Sequence, residues 1–139
     1  MKKHNTSRSM KGALVKGFLE KKDRKAFELL LPRYRDIIGN SSGIYALYKG
    51  QKLYYVGIAT NLLNRVDWHT KDKHKDSWDK VSFFVIDKHR YSKDIETVIL
   101  RIVGHTNGNE TRGKFEKHFE LQDKLNKLRK DMRYLINRV

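Results

Sequence analysis

The chain has 139 residues, 31 Lys+Arg against 16 Asp+Glu for a formal charge of +15, and no cysteine. Its length suits one domain with a modest core, and the missing cysteines exclude disulfides, thiolate zinc sites and cysteine nucleophiles. The charge excess favours a polyanionic partner, because each neutralised phosphate releases condensed counterions.

Residues 1–42 hold 11 basic and 4 acidic side chains and read as a basic helical N-terminal extension. The tip to Ser9 is polar and aperiodic, after which Leu14, Val15, Phe18 and Leu19 fall on one helical face. Lys25 to Leu31 continues in helical style until Pro32, and the run Gly39-Asn40-Ser41-Ser42-Gly43 predicts a turn into a new unit. Ile44 to Tyr48 and Leu53 to Val56 are rich in aromatic and branched residues, so the Gly-containing loop between them predicts a hairpin carrying Lys49 and Lys52 at its tip. Thr60 or Asn61 would cap a helix bearing Leu62, Leu63 and Val66; Val81 to Ile86 reads as a buried strand. Ser92 would cap a second helix, whose Ile95, Val98, Ile99, Ile102 and Val103 follow the i, i+3, i+4, i+7, i+8 pattern before Gly104. These elements make up a core over residues 43–110 with 11 basic and 8 acidic side chains.

Residues 111–139 carry 9 basic and 4 acidic side chains, and Leu121, Leu125, Leu128, Met132 and Leu135 form one helical stripe. The stripe predicts docking onto the domain, with pairing of two copies as a homodimer the alternative. The expected architecture is α+β: a small three-stranded sheet flanked by helices, with N- and C-terminal helical extensions. No apolar run approaches the roughly 20 residues of a spanning helix, and the N-terminus lacks a secretory apolar region. The expectation is therefore an intracellular protein, cytoplasmic or nucleoid-associated, with no membrane partner.

Tyr45 and Tyr55 lie on the two hairpin strands, an arrangement that in itself most often means packing. Eight residues beyond Gly57 stands Arg65, and His69 follows four later, which puts a cation and an imidazole within about 40° on one helical face. In this order, Gly43-Ile44-Tyr45, Tyr55-Val56-Gly57, the stretch TNLLNRVDWH at 60–69 and IETVILR at 95–101 resemble the GIY-YIG nuclease family over about half the chain. The second motif reads YVG rather than YIG, and Ile58 stands where a small polar residue or lysine is common.

The resemblance implies a three-stranded antiparallel sheet and Mg²⁺-dependent (or Mn²⁺-dependent) hydrolysis of phosphodiester bonds in DNA, with RNA an open alternative. It implies Tyr45 as general base with His69 as rival, Tyr55 orienting phosphate or water, Arg65 offsetting phosphate charge, Glu96 holding the metal, and Asn109 (or Asn107) contacting nucleic acid. The chemistry agrees: a carboxylate suits a hard cation, and a permanently charged planar fork suits a pentacovalent phosphate. The competing readings are a catalytically inactive nucleic-acid-binding module of the same fold and a salt-bridged Glu96. His69, His74 and His89 fit no common zinc spacing, and His74-Lys75-Asp76 reads as a charged loop. Trp68 and Trp78 are placed either in the core or against exposed bases.

Overall fold

The computed structural model describes residues 12–104, 106–109, 115 and 121–138. It is α+β, with a four-stranded antiparallel sheet in the order β1-β4-β2-β3. Strands β2 (Gly43–Lys49) and β3 (Lys52–Ala59) form the predicted hairpin, and β4 (Lys80–Ile86) lies against β2. The fourth strand, β1 (Val15–Asp23), corrects two expectations at once: the sheet has four strands rather than three, and the segment around Leu14 to Leu19 is extended rather than helical. Gly17 disfavours a helix by about 1 kcal/mol. Pairing with β4 gives the backbone of this segment partners that a short isolated helix would hold only weakly.

The alternation of side chains sorts the sheet into two faces. On one, Tyr45, Leu47, Val81 and Phe83 join Phe27, Ile38, Leu62, Leu63, Val66 and Trp78 in the larger core. Helices α1 (Arg24–Leu29), α2 (Leu31–Ile37) and α3 (Leu62–Trp68) belong to this side. Asp23 caps α1 by accepting from the Ala26 amide at 3.0 Å, and Asn61 caps α3 by accepting from the Asn64 amide at 3.1 Å. Pro32 sits in the first turn of α2, where its missing N–H costs nothing. On the opposite face, Ile44, Val56 and Ile86 meet Leu100, Ile95 and Ile99 of α4 (Ser92–Val103).

Ser92 does not cap α4. Tyr91 occupies the cap position without a side-chain bond, and the Ser92 hydroxyl is buried with no partner among the described residues. Gly104 ends α4 as expected, but with φ 80 and ψ -150, a conformation open to glycine rather than the left-handed helical one. Helix α5 (Leu121–Arg138) exists, but Leu121, Leu125, Leu128, Met132 and Leu135 are all exposed, so the stripe does not dock on the domain. No helix among the described residues is long and apolar enough to cross a membrane.

Candidate active site

The site gathers where β2 and β3 meet the loop that follows α3. Two motif glycines make the space. Tyr45 and Gly57 are register partners, and a Cβ on Gly57 would lie 2.4 Å from the Tyr45 hydroxyl; the phenol therefore lies across the bare backbone of Gly57. Gly43 opens β2 with φ 157, and a Cβ there would lie 1.9 Å from the Phe84 carbonyl oxygen, so only glycine lets β2 and β4 close to pairing distance.

The hairpin register slips between Leu47 and Tyr48, whose partners are Tyr55 and Leu53, leaving Tyr54 as an extra residue. Such a bulge re-aims side chains, and here consecutive tyrosines that a regular strand would send to opposite faces both pack on the larger core. Tyr54 and Tyr55 thus both reach His74, with ring centroids 5.5 and 4.8 Å away.

Residues 69–79 close over them. The Tyr45 hydroxyl is 2.7 Å from His69 Nε2, His69 Nδ1 is 2.7 Å from Asp72 Oδ2, and Asp72 Oδ1 accepts from the His74 amide at 2.9 Å. The Tyr54 hydroxyl is 2.8 Å from His74 Nδ1. Trp78 fixes the loop from beneath by donating its indole N–H to the His69 carbonyl at 3.1 Å. The Arg24 guanidinium stacks 4.4 Å from the Trp78 ring and donates to the carbonyls of Lys75 and Trp78. The N-terminal segment thereby braces the loop from outside.

Tyr45 is 1 % exposed, His69 4 % and His74 5 %. Burial holds the Tyr45 phenol well above its ordinary pKa, with the neighbouring Tyr55 adding to this; Arg65 opposes and Glu96 reinforces it. Tyr45 is therefore a neutral phenol, and Tyr55, Arg65 and Glu96 are all near enough to act on it electrostatically. Burial also pulls His69 below its ordinary value, against the pull of Asp72. The Asp72 carboxyl lies below its ordinary value: the His74 amide, the His69 ring and the His74 ring outweigh a desolvation cost that is the largest single influence on it.

Arg65 is exposed on α3, and Glu96 is half-buried on α4. Glu96 makes no hydrogen bond and no ion pair among the described residues. Burial raises its pKa, with Lys93 opposing. A half-buried carboxylate without a partner fits an oxygen-ligated hard cation such as Mg²⁺ or Mn²⁺. His69, Asp72 and His74 also bring potential ligand atoms within 4.8 Å of one another. In this arrangement, however, His69 uses both ring nitrogens and Asp72 both oxygens in hydrogen bonds, whereas Glu96 has neither a hydrogen bond nor an ion pair among the described residues.

Of the residues read from the sequence, Tyr45, Tyr55 and His69 are in direct contact, and Arg65 and Glu96 lie near enough to act on Tyr45 electrostatically. Lys49 and Lys52 do not: they are exposed register partners at the hairpin tip, about 13 Å along β2 from Tyr45. Asn109 is a clasp on the strand backbone. Its Oδ1 accepts from the Val56 amide at 2.9 Å, and its Nδ2 donates to the Val56 carbonyl at 2.8 Å. Asn107 is exposed beside Tyr54, Lys73 and His74 at the rim of a shallow cavity. Ile58, at the atypical motif position, packs into the smaller core.

Tyr54, Asp72, His74 and Trp78 were not among the sequence-read candidates. His74 is a buried partner of tyrosine rather than part of a solvated charged loop, Trp78 is a core residue, and Trp68 stays exposed. A signal for Asp72 exists in the sequence: an aspartate two residues before His74, just past a helix end, suits the turn in which a carboxylate accepts the amide two positions on. Lys71, Lys73 and Lys75 alternate with these two residues and are exposed, so the loop carries its cations outward and its hydrogen-bond network inward. No protein-family model, curated sequence or solved structure matches the chain, and the site is read from its own geometry.

Proposed function

We propose that the protein is a metal-dependent DNA endonuclease that hydrolyses phosphodiester bonds in the manner of the GIY-YIG family it resembles. The observation that carries this reading is a buried phenol–imidazole pair within electrostatic reach of a permanent cation and of a carboxylate that has no hydrogen bond or ion pair among the described residues, drawn from β2, α3 with the residue that follows it, and α4. Arg65 would meet the non-bridging oxygens of the scissile phosphate with its planar fork, opposing the charge that grows as the fifth bond forms. Tyr45 would take a proton from the attacking water while passing its own to His69 Nε2, which burial keeps neutral and able to accept. Tyr55, its ring tilted against Tyr45 with centroids 5.9 Å apart and half-exposed, would orient water or phosphate at the mouth. Glu96 would hold Mg²⁺ or Mn²⁺, which when bound supplies Lewis-acid stabilisation of the phosphate. The exposed lysines of the 71–75 loop and the formal +15 would hold the nucleic-acid backbone.

The test is incubation with plasmid, linear, branched and single-stranded DNA, and with RNA, in Mg²⁺, Mn²⁺ or EDTA, alongside binding over a salt series. Cleavage in metal and none in EDTA, with affinity falling steeply as salt rises, is the expected result. Salt-sensitive binding with no cleavage of any substrate would instead identify a non-catalytic nucleic-acid-binding module.

A further inference from the structure

We infer that Asp72 is a positioning residue that sets the tautomer of His69 and so makes Nε2 the proton acceptor for Tyr45. The inference rests on the proposed hydrolytic role of Tyr45 and His69 for its consequence in catalysis, but its structural content stands apart from that role. Among the described residues, the partners of the His69 ring nitrogens are the Tyr45 hydroxyl and Asp72 Oδ2, each at 2.7 Å. A neutral imidazole has one N–H and one lone pair, and an ionised carboxylate only accepts. Nδ1 must then carry the hydrogen, which leaves the Nε2 lone pair facing the phenol.

The carboxylate is held in place to do this. Its other oxygen accepts from the His74 backbone amide at 2.9 Å, a donor that cannot rotate away. The peptide thus fixes the carboxylate, the carboxylate fixes the imidazole, and the imidazole fixes the direction of the Tyr45 hydroxyl over Gly57. When Tyr45 passes its proton to Nε2 and accepts one from water, the phenol is regenerated and His69 becomes an imidazolium. Asp72 then faces that positive charge directly and remains ionised.

The fixed amide also makes one substitution unusually informative. In Asp72→Asn only one of the two positions can remain an acceptor. The His74 N–H claims the amide oxygen, because the opposite orientation would set two donors against each other. The amide NH₂ then points at His69 Nδ1 and forces that nitrogen to accept. The hydrogen moves to Nε2, where it faces the phenol oxygen, and Tyr45 loses its acceptor while shape and volume are kept.

The experiment is ¹⁵N NMR of the imidazole nitrogens of the full-length protein and of Asp72→Asn, with thermal unfolding and single-turnover cleavage of the same samples. The wild type is expected to carry the His69 hydrogen on Nδ1 and the variant on Nε2, with both folded and with DNA binding retained. Cleavage by the variant is expected to fall by about 1,000-fold or more, the scale of a wrong-tautomer defect. A wild-type His69 protonated on Nε2 would overturn the assignment even if the variant did not fold. A variant that moves the hydrogen yet cleaves within about threefold of wild type, under 1 kcal/mol of barrier, would overturn the catalytic consequence. If the wild type cleaves nothing, the hydrolytic reading fails, and the two spectra still decide whether Asp72 sets the tautomer.

Discussion

The two faces of the sheet solve opposite problems with polar groups. On the side of the larger core, Tyr45, His69, His74 and Asp72 are withdrawn from water but hydrogen-bonded to one another, so burial adds rigidity instead of strain. On the α4 side the packing is largely aliphatic, and Glu96 stands at its margin with burial acting against its charge, Lys93 opposing, and no hydrogen bond or ion pair among the described residues. The difference teaches where a ligand is wanted. The hydrogen-bonded network holds its own side chains in place, whereas a half-buried carboxylate without a hydrogen bond or ion pair among the described residues is the group a cation would stabilise most under the proposed function.

The largest expected effect breaks the first face altogether. Removing residues 1–42 takes away β1, Phe27, Ile38 and the Arg24 stack on Trp78. A buried phenylalanine is worth about 3–5 kcal/mol in itself, against a total stability of only about 5–15 kcal/mol. We expect the truncated chain to show no cooperative thermal transition; a sharp one would mean that the remaining strands and helices fold alone.

Next comes the group proposed to meet the scissile phosphate. Arg65→Lys keeps the charge and loses the planar fork, and is expected to cut cleavage by about 100- to 1,000-fold with little change in DNA affinity. Near-wild-type rates would reduce Arg65 to a backbone contact.

Glu96→Gln sharpens the comparison because it separates function from stability. Cleavage across a Mg²⁺ titration should be nearly abolished. Burial lifts the Glu96 pKa above its ordinary 4.5, so in the folded metal-free protein the group stabilises only while protonated. That contribution is present below 4.5 and is lost as pH rises through the folded-state value. In EDTA the variant should therefore melt higher than wild type at pH 7 and at the same temperature at pH 4. A lower melting point at pH 7 would show that Glu96 is a structural partner.

The smallest effect tests the satisfied face. Burial holds His69 below its ordinary 6.5, despite Asp72 and with His74 and Arg65 adding to the effect; Tyr45 and Tyr55 complete its surroundings. Between the folded-state value and 6.5 the unfolded chain binds more protons. Stability should be full above 6.5 and decline as pH falls through the folded-state value, with a second decline below 3.8 as Asp72 is protonated. In His69→Gln the first decline should vanish and the second remain. An unchanged upper slope would assign it to another group.

What the sequence made legible was what local periodicity encodes. The hairpin, α3 with its Asn61 cap, β4 and α4 all follow from short-range pattern, whereas the grouping of Tyr45, Arg65, His69 and Glu96 was an expectation from the family resemblance and not from periodicity. β1 was read as a helix because Leu14, Val15, Phe18 and Leu19 satisfy a helical spacing, while the partners that make this segment a strand lie far along the chain in β4, Phe84 opposite Phe18 and Phe83 opposite Leu19. Tyr54 was hidden for a different reason: strict alternation sends it away from Tyr55, and only the extra residue in the ladder brings both to His74. Asp72 and His74 looked like a solvated run because three lysines surround them. Their burial comes from the loop folding back over the sheet, held by the Trp78 indole, which no local pattern announces.

The Asn109 clasp has a consequence for the molecule in a crowded solution. β3 is an outer strand of the sheet, and its free backbone groups would invite a strand from another copy. At Val56 the amide of Asn109 imitates a neighbouring peptide, taking both the N–H and the C=O, and the Gly108 amide takes the Tyr54 carbonyl at 2.8 Å. A side chain and a glycine thus close the margin that carries Tyr55 and Gly57. The opposite margin is spoiled for pairing by the two irregularities in β1 and by Lys21 at φ 51. Asn109 and Gly108 therefore occupy, at Val56 and Tyr54, ladder positions through which β3 would otherwise pair with a strand of another polypeptide.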